Sequence, residues 1–252
     1  MSSLGWIPVA GASVGVLYGM FGVGSAFATP VLALLGVPGL AAVVAPLPGL
    51  LPSSAAGAWS YTRGDKVDWT VARRTIIGGV PASILGAIAS HWVGGTTLLI
   101  LSGVVLLAVG LRVLRPADGR PDPGALSRRH SATFVVGAAA GIGFASGLLA
   151  NGGGFLLVPL FLLALGLDMN EAAGTSMVAA AALTVPTLVT HAFLGDINWL
   201  VAGSFGVGLV PGAFIGGTIA QRLPVHRLRN AFGLLLVVFA VWFLGRQLIG
   251  LA

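Results

Sequence analysis

Cysteine is absent from this chain of 252 residues, and charged residues account for only 8% of it. Without cysteine, disulfides, thiolate-bound metals, iron–sulfur clusters and cysteine nucleophiles are all excluded. A soluble domain carries roughly 25% charged residues, so this chain has too few charges to cover a surface that faces water. Hydrophobic residues make up 56% of the sequence, and the mean hydropathy is +0.99. The composition therefore predicts a protein whose apolar runs face lipid.

The apolar runs have lengths that suit membrane-spanning helices, because a hydrocarbon core of about 30 Å requires roughly 20 apolar residues per crossing. Six runs match one crossing each, whereas the first and fifth are longer and contain Gly22-Val23-Gly24-Ser25 and Asn151-Gly152-Gly153-Gly154. Glycine costs about 1 kcal/mol relative to alanine inside a helix, so we predict that both long runs are broken helices. The runs cover approximately residues 6–36, 39–61, 72–92, 96–114, 132–166, 172–194, 199–221 and 229–250.

Most of the basic residues lie in three short stretches between the apolar runs. Twelve of the 13 Lys and Arg residues fall within 61–74, 112–130 and 222–229, and the positive-inside rule assigns such stretches to the cytoplasm. All three can be cytoplasmic only if the run at 132–166 enters and leaves the membrane on the same side, as a re-entrant pair of half-helices or as two short tilted crossings. The basic residues form no stripe interleaved with aromatics, which argues against nucleic-acid binding.

The two halves of the chain match each other when one is shifted by about 130 residues. The stretch at 61–74 is then cytoplasmic while its counterpart near 195–198 is outside, so we predict that the halves have opposite orientations. Inverted repeats with paired Gly- or Pro-interrupted helices are typical of secondary transporters, which bind substrate where the repeats meet. The matching residues are Gly78 and Gly208, Val80 and Val210, Pro81 and Pro211, Gly86 and Gly216, and Trp69 and Trp199.

The predicted fold is an all-α polytopic membrane protein made of two inverted-topology repeats. Each repeat contains one broken or re-entrant helix and three full transmembrane helices. The first repeat covers residues 1–114, a cytoplasmic linker covers 115–131, and the second repeat covers 132–252. The lipid bilayer is the expected environment, and the sequence leaves open whether the protein acts alone or as a homodimer.

No Lys or Arg lies in the middle of an apolar run, so an anion inside the membrane would need other donors. The free N–H groups at the N-terminus of a half-helix form such a site, and glycines let a ligand approach the backbone. We predict that the two glycine breaks converge on one substrate site. The predicted substrate-binding residues are Gly22, Gly24, Ser25, Thr29, Asn151, Gly152, Gly153, Gly154, Thr175 and Ser176.

A histidine, a stripe of glycines and a glutamate in the sequence are each interpreted separately. His191 is a candidate proton or substrate contact, although a histidine at the outer interface beside Asp196 is the favoured interpretation. The stripe of Gly11, Gly15 and Gly19 is predicted to pack against a neighbouring helix. Glu171 is predicted to lie near a helix N-terminus, where its charge complements the helix dipole.

Two glycine-rich segments resemble the TauE/SafE sulfite exporter family, also called the TSUP membrane transporters. The segment 147–159 reads GLLANGGGFLLVP and is followed by AGTS at 173–176, while 19–30 reads GMFGVGSAFATP. The first half departs from the second at Val44-Ala45-Pro46, which stands where the second half has Gly174-Thr175-Ser176. The resemblance implies export of sulfite, of sulfonates such as sulfoacetate, or of related organosulfur anions across a bacterial inner membrane.

Two alternative functions remain at this point. A passive anion channel could use the same repeat and the same anion site. A membrane-embedded enzyme is less favoured, because the chain has no histidine pair at metal-binding helical spacing, no nucleophile-elbow motif in a usable context and no facing pair of membrane carboxylates. We therefore expect no catalytic residues, no metal and no cofactor, and a small anionic substrate as the ligand.

Overall fold

The chain folds into helices that pack side by side, and no strand occurs among the residues described. Five helical segments among the described residues are long and apolar enough to cross a membrane, and one of them, Ala41–Arg63, includes a two-residue turn at 45–46. The predicted all-α membrane class is therefore confirmed. The computed structural model describes residues 4–37, 39–89, 104, 107–108, 110–114, 123–148, 154–195 and 197–249.

The helices follow the apolar runs closely. The described part of the run at 96–114 is helical, and a short helix also forms inside the predicted linker. In the first half the helices are α1 (Ile7–Phe21), α2 (Gly24–Leu34), α3 (Gly39–Val44), α4 (Leu47–Arg63) and α5 (Trp69–Ala89). The later helices are α6 (Pro123–His130), α7 (Ala132–Leu148), α8 (Gly154–Leu163), α9 (Met169–Leu194), α10 (Trp199–Ala220) and α11 (Val225–Ile249).

The first predicted break is confirmed. Helix α1 ends at Phe21, and Gly22 is its C-cap residue. Gly22 has a φ of 72°, a backbone conformation that only glycine adopts readily. Its N–H donates to the carbonyl oxygen of Tyr18 at 2.7 Å. Helix α2 then starts at Gly24. The second predicted break lies between α7 and α8, and residues 149–153 are outside the described part of the chain.

A third interruption was not predicted. The run at 39–61 was expected to be one helix, but α3 ends at Val44 and α4 begins at Leu47. Pro46 explains the interruption, because proline has no N–H to continue the hydrogen-bond pattern of α3 and its ring clashes with the preceding turn. At Val44-Ala45-Pro46 the first half of the chain also departs in sequence from the second half.

Helices α1 and α10 pack together so closely that their backbones touch. The carbonyl oxygens of α10 occupy the space that a Cβ would need at every glycine of the α1 stripe, so the predicted packing role of these glycines is confirmed. The contacts advance in the same direction along both helices, which are therefore parallel. The facing residues are Gly11 and Phe205, Gly15 and Leu209, and Gly19 and Ala213.

Helices α5 and α7 form a second interface of the same kind. Gly143 and Gly147 of α7 lie against the backbone of Gly79 and Ser83 in α5, again in parallel. In the comparison of the halves, α7 corresponds to α1 and α5 corresponds to α10. Each interface therefore joins a helix of one half to a helix of the other half.

The basic residues gather at one end of the molecule, which we call the basic end. It contains residues 61–74, 123–131, 164–171 and 220–229. Arg129 forms ion pairs with Asp68 at 2.9 Å and Glu171 at 3.7 Å, and Lys66 lies 3.7 Å from Asp168. These pairs connect the loops that precede α5, α7 and α9. The side chain of Gln221 lies against Gly64, which brings the end of α10 to the same level.

The segment formed by α7 and α8 enters and leaves at the basic end. The Arg128 Nε–H, just before α7, donates to the carbonyl oxygen of Ala164, just after α8, at 2.8 Å. Helix α8 has only 10 residues and is about 15 Å long, which is half of a hydrocarbon core of about 30 Å. Helix α8 is therefore a half-helix. Both ends of the α7–α8 segment lie at the basic end, as the positions of the basic residues in the sequence predict.

Substitution of glycine by alanine in α10 tests the backbone contact with α1. At Gly208 a Cβ would meet the carbonyl oxygen of Pro8, whereas at Gly203 it would meet nothing within 4 Å. We expect Gly208→Ala to lower stability by about 1 to 3 kcal/mol through overpacking. Gly203→Ala is the matched control and should be neutral or slightly stabilising. Thermal unfolding of the purified protein in detergent would measure both, and equal melting temperatures for the two variants would contradict the interface.

Single-cysteine labelling tests which ends of the helices share a membrane face, and the chain contains no native cysteine. Arg227 lies at the basic end and Asn198 precedes α10 at the opposite end, and both residues are exposed. We expect an impermeant maleimide to label Arg227→Cys and Asn198→Cys from opposite sides of membrane vesicles. Labelling of both from the same side would refute this arrangement.

Candidate functional site

The backbone at the first break meets the start of α8 inside the protein. At Gly22, the side chain of Ser176 occupies the space that a Cβ would need. At Gly154, the first residue of α8, the carbonyl oxygen of Gly22 occupies the corresponding space. All three residues are buried. We call the contact region of Gly22, Gly154 and Ser176 the junction.

The N-terminus of α2 starts at the junction without a side-chain cap. Its N-cap residue is Val23, which is fully buried and offers no side-chain acceptor to the first amides of the helix. Four other helices are capped by a side chain that accepts from the N–H three residues later, namely Asp68 before α5, Ser131 before α7, Asp168 before α9 and Asn198 before α10. Helices α1 and α4 also lack a side-chain cap, but each has a proline in its first turn. The first turn of a helix has N–H groups without intrahelical partners. Val23 and Gly24, where α2 starts, are both buried.

Two tyrosines hold the broken end of α1 against α4. The Tyr61 hydroxyl donates to the carbonyl oxygens of Gly19 at 2.9 Å and Met20 at 3.1 Å, which lie in the last turn of α1. The Tyr18 hydroxyl is hydrogen-bonded to the Ser54 hydroxyl at 2.6 Å. The carbonyl groups released by the break are therefore satisfied by a protein donor.

The predicted site residues are only partly brought together. Gly22, Gly154 and Ser176 are in contact, and Gly24 packs against the Tyr18 ring. Ser25 lies in the first turn of α2. Asn151, Gly152 and Gly153 are outside the described residues.

The two predicted threonines have different environments. Thr175 is buried, but it faces the loop before α5, where its hydroxyl oxygen accepts from the Asp68 N–H at 2.9 Å. Thr29 lies in α2 and is 7% exposed, and its hydroxyl has no hydrogen-bond partner among the described residues. Thr175 therefore has a structural hydrogen bond, whereas the buried Thr29 hydroxyl has no partner among the described residues.

His191 is separated from the junction. It lies in the last turn of α9, about four turns and about 22 Å along the helix axis beyond Ser176. It is only 1% exposed, while Phe193 and Leu194 beside it are exposed. His191 is thus near the end of its helix, as the interfacial interpretation expects, but its side chain faces the protein interior.

The three residues that form the junction are uncharged. The described carboxylates of Asp65, Asp68, Asp168 and Glu171 belong to the basic end. Asp168 caps α9 and Glu171 occupies the first turn, as predicted for a charge that complements the helix dipole. No cluster of potential metal ligands occurs among the described residues. The chemistry at the junction is therefore that of amide N–H groups and hydroxyls.

Comparison with known proteins identifies the family. A family model described as Sulfite exporter TauE/SafE matches residues 7–243. This chain belongs to the TauE/SafE family. A probable membrane transporter protein of Xylella fastidiosa is 30% identical to it over 94% of this chain and 93% of the relative. No solved structure matches the chain.

Relatives in another organism support the same class. The probable membrane transporter protein YjnA of Bacillus subtilis is 24% identical over 90% of this chain and 94% of the relative. The probable membrane transporter protein YunE of the same organism is 27% identical over 65% of this chain and 64% of the relative. As a TauE/SafE protein, this chain is a membrane transporter and not an enzyme.

Sequence reasoning missed the tyrosines of this TauE/SafE protein. Tyr18 and Tyr61 are the only two tyrosines of the chain, and both occur within apolar runs. A hydroxyl buried in a membrane-spanning region requires a partner. That requirement was a signal that these residues join elements of the structure, although it did not reveal which carbonyl groups Tyr61 would contact.

A double-mutant cycle tests the contact between Gly22 and Ser176. Gly22→Ala places a side chain at positive φ, where backbone strain alone costs roughly 1 to 2 kcal/mol. The new Cβ would also clash with the Ser176 hydroxyl. We therefore expect the variant to lose more stability than the strain alone explains. Removal of the hydroxyl by Ser176→Ala should recover part of this loss. Melting temperatures of both single variants and the double variant would give the coupling.

Gly36→Ala is the matched control, because Gly36 also has a positive φ of 86° but a Cβ there would meet nothing within 4 Å. This variant should show the backbone strain without the clash. Strict additivity of the Gly22 and Ser176 substitutions would show that the two residues do not touch.

Proposed function

We propose that this TauE/SafE transporter exports small sulfur-containing oxyanions, namely sulfite and sulfonates such as sulfoacetate, across the bacterial inner membrane. The observation that carries the proposal is the uncapped start of α2 at the buried junction. An oxyanion offers several acceptor oxygens to such amides at once, and helix N-termini are common anion sites. The sulfur chemistry of the substrate rests on the family to which the chain belongs.

In the proposed binding mode, the oxyanion lies between the N-termini of α2 and α8. Each terminus supplies roughly half an elementary positive charge together with free N–H donors. The Thr29 hydroxyl supports this mode, since it is buried and has no partner among the described residues. The proposed site also includes Gly22, Gly24, Ser25, Asn151, Gly152, Gly153, Gly154 and Ser176, whereas Thr175 binds the Asp68 amide instead.

Neutral donors suit a site that must release its ligand. A buried Lys or Arg would form an ion pair with the anion, and breaking such a pair in a low-dielectric site is costly. Amide and hydroxyl donors bind the anion through hydrogen bonds alone. A carrier needs affinity that is sufficient for selection but low enough for release on the opposite side of the membrane.

We further propose that the two halves are inverted repeats and that the basic end faces the cytoplasm. The equivalence of the α1–α10 and α5–α7 interfaces supports the repeat. The gathering of the basic residues at one end supports the orientation. Alternating access would then result from rocking of these paired units around the junction, as in other transporters built from inverted repeats.

Transport of labelled sulfite into proteoliposomes tests the proposal, with Gly154→Val as the decisive variant. Valine at position 154 would collide with the Gly22 carbonyl oxygen and fill the junction, so we expect at least a tenfold loss of transport. Gly141→Val is the matched control, because Gly141 lies in α7 and a Cβ there would meet nothing within 4 Å. This control should transport at the wild-type rate, and size-exclusion profiles would verify that both variants are folded.

Counterflow measurements distinguish a carrier from a passive pore. Sulfite loaded on the opposite side should accelerate uptake of labelled sulfite by a carrier, whereas a channel shows no such acceleration. Failure of sulfite, sulfoacetate and thiosulfate in a protein that moves a cation would refute the anion proposal. Wild-type transport by folded Gly154→Val would exclude the junction as the site.

A further inference from the structure

A cavity at the basic end lies between the start of α5 and the connection from α6 to α7. It has two adjoining parts that share Thr70. The first part has a volume of about 290 Å³ and is lined by Asp68, Thr70, Val71, Arg129 and His130. The second part has a volume of about 240 Å³ and is lined by Thr70, Arg73, Arg74 and Ile77.

The cavity carries excess positive charge. Its one lining carboxylate, Asp68, forms an ion pair with Arg129. Arg74 donates to the carbonyl oxygens of Arg129 at 3.1 Å and His130 at 3.0 Å, so its charge is not neutralised by an acid. Arg73 is exposed, and its side chain has neither an ion pair nor a hydrogen bond within the described part of the protein. Two arginines therefore supply positive charge that no carboxylate compensates within the described residues.

The α5 surface next to the cavity is apolar and uncovered by other described helices. Ile77, one turn after Arg73, is 63% exposed, and Ile84 and Ile88 continue the same stripe along α5. This stripe runs from the basic end toward the opposite end of a membrane-spanning helix. A cationic group above an exposed apolar stripe matches a molecule that has an anionic head and a hydrocarbon tail.

We propose that this cavity binds the headgroup of an anionic phospholipid, with the phosphate at Arg73 and Arg74 and an acyl chain along Ile77, Ile84 and Ile88. The phosphate oxygens accept from the guanidinium groups, and the chain covers apolar surface that faces the bilayer. The site is distinct from the junction, because it lies on the outer face of α5. The lipid would belong to the leaflet in contact with the basic end.

Lipid competition on the full-length purified protein tests the proposal. Detergent-solubilised protein is incubated with phosphatidylglycerol or phosphatidylcholine of matched acyl chains, and retained lipid is measured by native mass spectrometry. We expect phosphatidylglycerol to be favoured at least fivefold. Arg73→Gln should reduce this preference about fivefold, in line with the contribution of one interfacial arginine.

Two more variants make the test specific. Thr70→Glu adds a carboxylate to the cavity in the first turn of α5. Negative charge at a helix N-terminus is favourable, so the protein should remain folded. It should lose its preference for phosphatidylglycerol, because the carboxylate repels the phosphate. Arg222→Gln is the matched control, because Arg222 is also exposed and has no described partner but lies outside the cavity. Arg222→Gln should retain the preference of the wild-type protein for phosphatidylglycerol.

Several results would overturn the proposal. Equal retention of phosphatidylglycerol and phosphatidylcholine would exclude an anionic lipid site. An equal loss in Arg222→Gln and Arg73→Gln would indicate diffuse surface charge instead of a defined site. Complete displacement of the lipid by millimolar inorganic phosphate would show that the cavity recognises a soluble anion without need for an acyl chain.

Discussion

Close contact between helix backbones is the constraint on which the rest of this structure depends. Apolar side chains gain little by leaving lipid for another apolar surface, so membrane helices associate mainly through close packing of small residues. The glycines of α1 and α7 permit this packing against α10 and α5. Because each interface joins opposite halves of the chain, the break at Gly22 and the start of α8 at Gly154 lie where their backbones touch. The junction is therefore a consequence of packing that occurs along entire helices.

The break between α1 and α2 leaves two kinds of unsatisfied backbone groups, and the protein treats them differently. The carbonyl groups at the end of α1 receive a hydrogen bond from the Tyr61 hydroxyl. The amides at the start of α2 have only Val23 as their N-cap residue. Unsatisfied backbone groups are tolerated at membrane depth only where protein or a water-filled cavity surrounds them. This unequal treatment is the feature on which the proposed anion site rests.

Most of the charge gathers at one end of the molecule, and there it connects elements that are distant in sequence. Arg129 links the loop before α5 to the start of α9 through Asp68 and Glu171. These ion pairs are partly exposed, and each contributes modestly to stability, on the order of 1 kcal/mol or less. Their larger effect is to determine which loops lie side by side. The membrane-facing surface is left apolar, apart from the arginines that border it.

The sequence by itself determined the membrane class, the break at Gly22, the clustering of basic residues and the packing role of the α1 glycines. These features follow from composition and from residue spacing within single helices, which act locally. Tertiary structure alone decided that α1 packs on α10, that Tyr61 satisfies the end of α1, and that Thr175 binds the Asp68 amide while Ser176 faces Gly22. A small-residue stripe shows that a helix will pack but not against which partner, because the partner is chosen by complementarity between surfaces that lie far apart in the chain.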